Sequence, residues 1–336
     1  MQPPAIDSHT LAVMAISPLP RTARVYIAGH RGLVGSSLWR YFAESGFSTL
    51  IGRTSSELDL RQRDATFAFM AEARPDVVID AAARVGGIMA NNTYPAEFLS
   101  DNLRIQVNLM DAAAVHRVPR LLFLGSSCIY PKQAPQPIRE DYLLTGALEP
   151  TNDAYAIAKI AGIAQVQAAR RQFGLPWISA MPTNLYGPGD NFDLASSHVL
   201  PALIRRFHEA KRSGETTVTL WGSGAPRREF LHVDDLARAC LHLLDTYDEP
   251  ETINIGVGMD VTIRELAQTV ADIVGYSGSV SWDTAKPDGT PRKLLDVSRI
   301  HSTGWKAKID LSSGIGATYN WYVRNSATQE ASGGGR

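Results

Sequence analysis

The sequence predicts an α/β fold built on a doubly wound parallel sheet, and two observations lead to this prediction. The first is a strand-like run at 24–28 that continues directly into a turn with three glycines and then into a helical segment. The second is the recurrence of short apolar runs separated by helical segments, at 49–51, 76–83, 120–124 and 177–181. Strands that alternate with helices are typical of a parallel sheet covered by helices on both faces.

Composition and charge narrow the class of protein. The chain has 336 residues, of which 44% are hydrophobic, so it can bury a substantial core in one large domain or two modest ones. Its net charge of −1 creates no field that would attract nucleic acid or an anionic membrane, and no apolar run reaches the ~20 residues that span a bilayer. Cys128 and Cys240 are too few for a disulfide framework, and no His/Cys/Asp/Glu cluster has metal-ligand spacing. We therefore expect a cytoplasmic enzyme with no metal and no nucleic-acid or membrane partner, and we expect Cys240 to be a core residue.

The glycine turn has the character of a pyrophosphate site. Gly29 permits a tight turn, Gly32 allows a ligand to approach the backbone closely, and Gly35 lets the helix pack against the strand. Backbone N–H groups and the dipole at a helix N-terminus favour a bound anion. The spacing is G-x-x-G-x-x-G rather than the common G-x-G-x-x-G. In the context of alternating strands and helices, this turn indicates a Rossmann-like domain that binds a dinucleotide.

The end of the second strand favours NADP over NAD. NAD sites usually place an acid there for the ribose 2′-OH, but the first acid after this strand is Glu57. Arg31 in the glycine turn and Arg53 at the strand end are instead two cations that can meet a 2′-phosphate. The alternative is that one or both arginines are simply solvated. We also expect Asp59 to reach the adenine amino group.

A serine, a tyrosine and a lysine form the expected catalytic set. Residues four apart share a helix face, so Tyr155 and Lys159 point the same way on a helical segment that opens at 153. We expect Lys159 to lower the pKa of Tyr155 and to bind the nicotinamide ribose. Ser126 follows the strand 120–124, at the edge where parallel sheets place their active sites. Two hydroxyls on a carbonyl oxygen and one proton to deliver suit carbonyl reduction.

This combination resembles the extended short-chain dehydrogenase/reductase superfamily, whose nucleotide-sugar branch contains dehydratases, 4-epimerases and reductases. Dehydratases of this branch carry acids beside the serine, whereas Ser127 and Cys128 stand there in this chain. Cys128 and His198 can act together, because inverting a centre next to a 4-keto group needs a base on one face and an acid on the other. The thiol would need its pKa lowered locally for this role. The alternatives are a buried structural cysteine and a structural histidine.

Several segments together resemble one family, GDP-L-fucose synthase, also called GDP-4-keto-6-deoxy-D-mannose 3,5-epimerase-4-reductase. The resemblance extends from about residue 24 to residue 322. The matching segments are RVGGI at 84–88, NNTYP at 91–95, GSSCIYPK at 125–132, EPTN at 149–152, YAIAKIAG at 155–162, MPTNLYGP at 181–188 and KPDGTPRK at 286–293. One departure is Ser55, where members of the family carry a second basic residue, and this weakens the argument for a 2′-phosphate.

The resemblance implies a role for each matching residue. Ser126, Tyr155 and Lys159 match the reductive triad, with Tyr155 as proton donor to the C4 oxygen, while Cys128 and His198 match the epimerisation base and acid. The residues it implies for NADP(H) are Gly29, His30, Arg31, Gly32, Leu33, Val34, Gly35, Leu124, Gly125, Ser126, Ser127, Lys159, Pro182, Thr183, Asn184, Leu185 and His198. The residues it implies for the GDP-sugar are Arg206, Trp221, Arg228 and Asp288. The alternative for Arg206 is a solvent-facing helix charge, and Trp221 could equally be a core residue.

We expect the chain to form two domains between flexible ends. Residues 1–23 would be a flexible extension or an over-long translation start, and 324–336 a flexible tail. The Rossmann domain would comprise 24–185 plus about 231–256, and a smaller α/β substrate-binding domain would comprise about 186–230 plus 257–323. The family also implies a homodimer.

The expected function is 3,5-epimerisation of GDP-4-keto-6-deoxy-D-mannose followed by NADPH-dependent reduction at C4. One alternative is another nucleotide-sugar 4-reductase or 4-epimerase of the same superfamily. The other is a non-catalytic NADP-binding interaction module.

Overall fold

The structure, a computed structural model, describes residues 17–194, 196–286 and 288–333. Its strands are β1 (Arg24–Ala28), β2 (Thr49–Ile51), β3 (Val77–Asp80), β4 (Arg120–Leu124), β5 (Ile178–Pro182), β6 (Asn184–Tyr186), β7 (Thr217–Trp221), β8 (Arg227–Arg228), β9 (Phe230–His232), β10 (Ile253–Ile255), β11 (Val261–Thr262), β12 (Ser279–Asp283) and β13 (Arg292–Lys293). Its helices are α1 (Leu33–Glu44), α2 (Arg63–Ala73), α3 (Ile88–Thr93), α4 (Pro95–Val115), α5 (Asp153–Phe173), α6 (Val199–Ser213), α7 (Val233–Thr246), α8 (Ile263–Val274), α9 (Ser298–Ser302) and α10 (Leu311–Gly333). Two short 3-10 turns, Ser127–Ile129 and Glu140–Tyr142, complete the list of helical elements.

The main sheet has six parallel strands in the order β10-β5-β4-β3-β1-β2. Helix α1 packs against α7, and α4 packs against α2 and α5, so helices cover both faces. The central strands β3 and β4 are almost entirely buried, which explains their continuous apolar sequences VVI and LLFL. The doubly wound parallel sheet predicted from the sequence is thereby confirmed.

The chain reverses its direction of winding between β1 and β3, because β2 lies on one side of β1 and β3 on the other. Ligands of open α/β sheets bind at the carboxyl ends of the strands at such a point. Gly29 directly follows β1, and a Cβ atom on it would lie 2.8 Å from the carbonyl oxygen of Ala81, which directly follows β3. The glycine turn therefore sits at this switch point.

A smaller layer with its own hydrophobic core contains α6, α8, β7 and β12. Its buried side chains include Leu203, Phe207, Leu220, Leu266 and Val270. Three short sheets accompany it, in which β11, β8 and β13 are joined, β12 pairs with β7, and β6 pairs with β9. None of the helices in the described part of the chain is both long and apolar enough to cross a bilayer.

The observed packing differs from the expected domain limits in one stretch of chain, from 295 to 305. Leu295 and Trp305 belong to the core under the main sheet, although we assigned 257–323 to the second domain. Helix α9 contacts β10 at the sheet edge, so this stretch of chain returns to the first core. Sequence periodicity could not show this return because it depends on a contact between distant segments.

Parts of both ends that we predicted to be flexible lie within the described residues. Residues 17–23 are tied down, since the backbone N–H of Leu19 donates to Asp245 at 2.8 Å and the Arg21 guanidinium lies 4.6 Å from the Phe47 ring centroid. Residues 1–16 lie outside the described residues. At the other end, α10 includes 324–333, which fall in the stretch that we predicted to be a flexible tail.

Helix α5 approaches β4 unusually closely at Gly162. A Cβ atom on Gly162 would lie 2.3 Å from Cζ of Phe123, a buried side chain of β4. Only a residue without a side chain lets the helix lie at this depth. The close approach matters because Tyr155 and Lys159 lie on the same helix.

We predict that Gly162→Ala lowers the free energy of unfolding by about 1–3 kcal/mol, because the added methyl group overpacks the contact with Phe123. Gly316→Ala is the matched control, since Gly316 lies in α10 with open space around it, and there alanine should be neutral or stabilising by up to about 1 kcal/mol. Urea unfolding of both variants measures the difference. Equal stability of the two variants would contradict a tight contact at Gly162.

Candidate active site

The glycine turn holds the N-terminus of α1 open toward the main cavity. Gly29 has a φ angle of 77°, and the N–H of Gly32 donates to the Gly29 carbonyl at 2.9 Å. A Cβ atom on Gly35 would lie 2.1 Å from that same carbonyl oxygen, so Gly35 lets the first helical turn pack on the glycine turn. Helix α1 has no side-chain cap and no acid in its first turn, so its N–H groups and dipole favour an external anion.

One cavity of about 1080 Å³ extends from this turn to the end of β4 and α5. Most of the sequence-predicted cofactor residues line it, and Gly35 is the exception because it lies behind the turn. The predicted residues that line the cavity are Gly29, His30, Arg31, Gly32, Leu33, Val34, Arg53, Asp59, Leu124, Gly125, Ser126, Ser127, Lys159, Pro182, Thr183, Asn184, Leu185 and His198, together with Tyr155.

The far end of the cavity is basic and rich in hydroxyl groups. Arg31 and Arg53 line it together with Thr54, Ser55 and Ser56. The Glu57 carboxylate is occupied by the loop after β2, because it accepts hydrogen bonds from the Thr54 N–H and from the Thr54 hydroxyl, both at 2.8 Å. The first acid after β2 therefore caps its own loop.

Asp59 reaches the cavity with its carboxylate already engaged. The Arg61 guanidinium donates to both oxygens, with Nε 2.9 Å from Oδ1 and Nη2 2.9 Å from Oδ2. Arg61 also contacts Asp101 at 3.3 Å. The expected contact of Asp59 with an adenine amino group stays a prediction, and that contact would have to share the carboxylate with Arg61.

Lys159 anchors the catalytic end of the cavity. Its Nζ donates to the carbonyl of Leu124 at 2.9 Å and lies 5.9 Å from the ring centroid of Tyr155 on the same helix. Ser126 is the second residue after β4 and caps the 3-10 turn that begins at Ser127. Ser126, Tyr155 and Lys159 thus line one end of the same cavity, as their spacing predicted.

The expected effect of Lys159 on Tyr155 is not what the structure shows. Burial raises the pKa of Tyr155, and the nearby Cys128 and Asp80 raise it further. Burial also lowers the pKa of Lys159, whereas the negative charges of Asp80 and then Cys128 raise it. Desolvation therefore dominates the pKa of Tyr155, and the side chain is held as a neutral phenol that can donate a proton.

Cys128 lies in the 3-10 turn that Ser126 caps. Its backbone N–H donates to the Ser126 hydroxyl at 3.3 Å, and its side chain is buried. Burial raises the pKa of the thiol, while the Lys293 ammonium and then the Ser126 hydroxyl lower it. The local lowering that a base needs is therefore present, but burial outweighs it.

His198 stands at the N-terminus of α6 and lines the cavity. Desolvation by the surrounding protein lowers the pKa of its imidazole, although the ring remains open toward the cavity. This favours the neutral imidazole at neutral pH, so the expected role of His198 as an acid stays a prediction.

Sequence reasoning missed Lys293, which lies inside the quoted segment KPDGTPRK. It is on β13, paired in register with Arg228 of β8, and burial lowers the pKa of its ammonium while Cys128 raises it. A lysine near the end of the chain gave no local signal that it would reach a thiol at 128. Glu149 lies in the same region, where it accepts from Lys132 at 3.0 Å and from Thr290 at 3.2 Å.

The four predicted substrate residues lie outside the wall of the main cavity. Trp221 is 62% exposed with the Lys286 ammonium 5.5 Å from its ring centroid, so it is not a core residue. Asp288 accepts from the Ser223 N–H at 2.9 Å, and Arg228 donates to the Thr290 carbonyl at 2.6 Å. Arg206 lies on α6, where the helix pair with Glu209 is made by Arg205 instead, at 2.7 Å.

The residues that line the main cavity fit a phosphorylated dinucleotide. Glycines that admit close backbone approach, an uncapped helix N-terminus and two arginines line one continuous cavity. The cavity ends at the Ser126, Tyr155 and Lys159 set. Across the described ranges, no group of three or more His, Cys, Asp or Glu side chains is placed to hold a metal ion.

Comparison with known proteins identifies similar chains. Residues 25–256 match the NAD dependent epimerase/dehydratase family. The chain is 56% identical over 318 residues to GDP-L-fucose synthase 1 of Arabidopsis thaliana, covering 95% of this chain and 98% of that protein. It is 54% identical over 311 residues to GDP-L-fucose synthase of Escherichia coli K12, covering 90% of this chain and 97% of that one. A GDP-mannoheptose C4 reductase from Campylobacter jejuni, solved with NADP bound, is 37% identical with a TM-score of 0.85 and covers 91% of this chain and 99% of that chain.

We predict that Lys293→Met slows alkylation of Cys128 by iodoacetamide at neutral pH by about three- to tenfold, because loss of the nearby ammonium raises the pKa of the thiol. Peptide mass spectrometry across a pH series measures the rate. Lys286→Met is the matched control, since this exposed lysine lies over Trp221, and buried Cys240 is an internal unreactive reference. An unchanged Cys128 rate would show that Lys293 does not act on the thiol.

Proposed function

The chain belongs to the GDP-L-fucose synthase family, within the NAD dependent epimerase/dehydratase family, and we propose that it converts GDP-4-keto-6-deoxy-D-mannose to GDP-L-fucose. The reaction is a 3,5-epimerisation followed by NADPH-dependent reduction at C4. One observation carries the proposal beyond reduction alone, namely that Cys128 is hydrogen-bonded to Ser126 and electrostatically coupled to Tyr155 and Lys293. Reduction of a carbonyl does not need such a thiol, whereas inversion beside a carbonyl needs a base.

In the reduction step, the hydroxyls of Ser126 and Tyr155 bind the C4 oxygen. Bound NADPH supplies the hydride. Tyr155, held neutral by its burial, gives its proton to the oxygen as negative charge develops there. Lys159, held by its hydrogen bond to the Leu124 carbonyl, would bind the ribose of the cofactor beside the two hydroxyls.

In the epimerisation step, the 4-keto group makes the C–H bonds at C3 and C5 acidic. Cys128 removes the proton from one face, assisted by Lys293, and His198 returns a proton to the opposite face. Tyr155 stabilises the enolate from the same position that it takes in reduction. One binding mode of the carbonyl oxygen therefore serves both steps.

Substrate contacts follow from charge and shape. We assign the GDP diphosphate to Arg206 and Arg228, because guanidinium groups pair with phosphate oxygens, and ring stacking to the exposed Trp221. Asp288, held by Ser223, lies beside Trp221 in this arrangement. The smaller layer with its own core is the substrate-binding domain in this proposal.

The second candidate is a GDP-sugar 4-reductase without epimerase activity, favoured by the likeness to the Campylobacter jejuni C4 reductase. Incubation with GDP-4-keto-6-deoxy-D-mannose and NADPH in deuterated water separates the two. Absorbance at 340 nm follows NADPH, and NMR identifies the product. A fucosyl product with deuterium at C3 and C5 supports the proposal, and NADPH oxidation without exchange supports the plain reductase. Absence of turnover would overturn both.

We further propose a cytoplasmic homodimer. Two described cysteines remain free and buried, which suits a reducing compartment. The outer faces of α4 and α5 carry Val107, 38% exposed, and Ile157, 48% exposed, and Gln165 joins the two helices by donating to Asp111 at 2.9 Å. Ala161, Ala164 and Ala168 add small, partly or fully exposed side chains to this helix, and we propose that a second copy packs there.

We predict that Arg53→Ala weakens NADPH binding by about tenfold or more and leaves NADH binding unchanged, because a charge-assisted contact with the 2′-phosphate is lost. Fluorescence titration of both cofactors gives the two dissociation constants. Arg63→Ala is the control, since Arg63 stacks on Phe67 with its Cζ 4.2 Å from the ring centroid, away from the cavity. Equal weakening for NADPH and NADH would refute a role in selectivity.

We predict that Ala164→Glu converts the dimer to monomer, because a charge on the small-residue face of α5 blocks the contact. Sedimentation velocity reads the mass directly. Thr246→Glu, an exposed position on α7, places the same charge elsewhere and should leave the dimer intact. A wild-type monomer, or a variant that remains dimeric, would reject this interface.

A further inference from the structure

Asp80 is a buried acid at the active-site end of the sheet to which the mechanism above gives no role. It is the last residue of β3 and is fully buried. Its Oδ1 accepts from the Ala82 N–H at 3.2 Å, whereas its Oδ2 is buried without a hydrogen-bond partner among the described residues. Burying an unpaired carboxylate oxygen is costly, so the position calls for a nearby positive charge.

Strand register places Asp80 under α5. Asp80 pairs with Phe123 of β4, and paired residues of neighbouring parallel strands point to the same face of a sheet. The Phe123 ring faces α5, because it limits the approach of Gly162 and lies 4.8 Å from the Lys159 Nζ. The Asp80 carboxyl group is therefore on the face that α5 covers, one strand away from the ring that supports the lysine.

The ionisable groups around Asp80 come from several elements. Lys159 and Tyr155 face it from α5, and Tyr26 faces it from β1. Cys128, from the turn after β4, acts on the same lysine and tyrosine. Helix α4 contributes the neutral amide of Gln106, which donates to the carbonyl of Ala158 beside the lysine. Among the described residues, Lys159 is thus the one cation that acts on the Asp80 carboxyl group.

The pKa shifts of Asp80 and Lys159 have the directions that this arrangement predicts. Burial raises the pKa of Asp80 to about 6, against the opposing effect of the Lys159 ammonium. Asp80 is the largest influence that raises the pKa of Lys159 against desolvation. Asp80 is therefore mostly a carboxylate at neutral pH.

We propose that Asp80 is a positioning residue for carbonyl reduction, the buried counter-charge that keeps Lys159 an ammonium and Tyr155 a phenol at alkaline pH. The inference rests on the proposed reduction at C4. Asp80 acts through the lysine and the tyrosine and does not touch the sugar. Removing its negative charge lets both groups lose their protons at lower pH.

The first test is the pH profile of NADPH oxidation with GDP-4-keto-6-deoxy-D-mannose. Asp80→Asn, which keeps the shape, should move the basic limb of kcat to lower pH by about one unit. Asp80→Leu removes the same charge in an apolar form and should show the same shift, so one folded variant is sufficient. Asp76→Asn, an exposed acid at the other end of β3, is the control and should leave the profile unchanged. A basic limb that stays in place in the folded variants overturns the proposal.

A second readout needs no substrate and separates this inference from the proposed function. Acetylation of Lys159 by acetic anhydride at pH 8, located by peptide mass spectrometry, should be about tenfold faster in Asp80→Asn than in wild type, because more free amine is present. Lys132, with 44% of its side chain exposed, is the internal reference. An inactive wild type with faster Lys159 acetylation in the variant would reject the proposed reaction and support the counter-charge. Equal acetylation rates would overturn the counter-charge.

Thermal stability gives a third readout with a defined sign. The folded-state pKa of Asp80, about 6, lies above its ordinary value of 3.8, so the folded protein holds a proton there that the unfolded chain has released. Stability contributed by this group therefore falls as pH rises from about 4 to about 6. Asp80→Asn should gain in Tm relative to wild type as pH rises through this window, and a constant difference between pH 4 and 7 would contradict a buried, titrating Asp80.

Discussion

The contact of α5 with β4 at Gly162 is the constraint on which the active site depends. Because no side chain separates the helix from the Phe123 ring, Lys159 reaches the carbonyl of Leu124 at the strand end. Tyr155, one turn earlier on α5, is thereby brought to the cavity end where Ser126 follows β4. A helix raised by one methyl group would lift both side chains away from the strand end.

Desolvation dominates the electrostatics of this site. Burial lowers the pKa of Lys159 and of His198 and raises the pKa of Tyr155 and of Cys128, so every one of these groups is pushed toward its neutral form. Such a set favours proton donation by Tyr155 and makes the thiol depend on Lys293 for its reactivity. The buried charges of Lys293 and Asp80, rather than bulk solvent, then set the protonation of Cys128 and Lys159.

The sequence predicted what depends on local pattern and missed what depends on distant contacts. Strand and helix alternation gave the sheet, and the four-residue spacing of Tyr155 and Lys159 placed both on one helix face. Lys293 and Asp80 had no such signal, because their effect depends on β13 and β3 reaching the end of β4. The expected influence of Lys159 on Tyr155 failed for a related reason, since spacing shows which groups are neighbours but not how deeply both are buried. The same limit left the return of 295–305 to the first core unseen.

The most direct test of a shared site for two reactions is to measure both steps in Cys128→Ser and Tyr155→Phe. Deuterium exchange at C3 and C5 of GDP-4-keto-6-deoxy-D-mannose reports epimerisation, and NADPH oxidation with an already epimerised 4-keto intermediate reports reduction. Cys128→Ser should lose exchange by about 10²-fold or more while it retains most of the reduction, and Tyr155→Phe should lose reduction by at least that factor. Equal loss of both steps in Cys128→Ser would contradict its role as the base and reduce it to a packing residue behind Ser126.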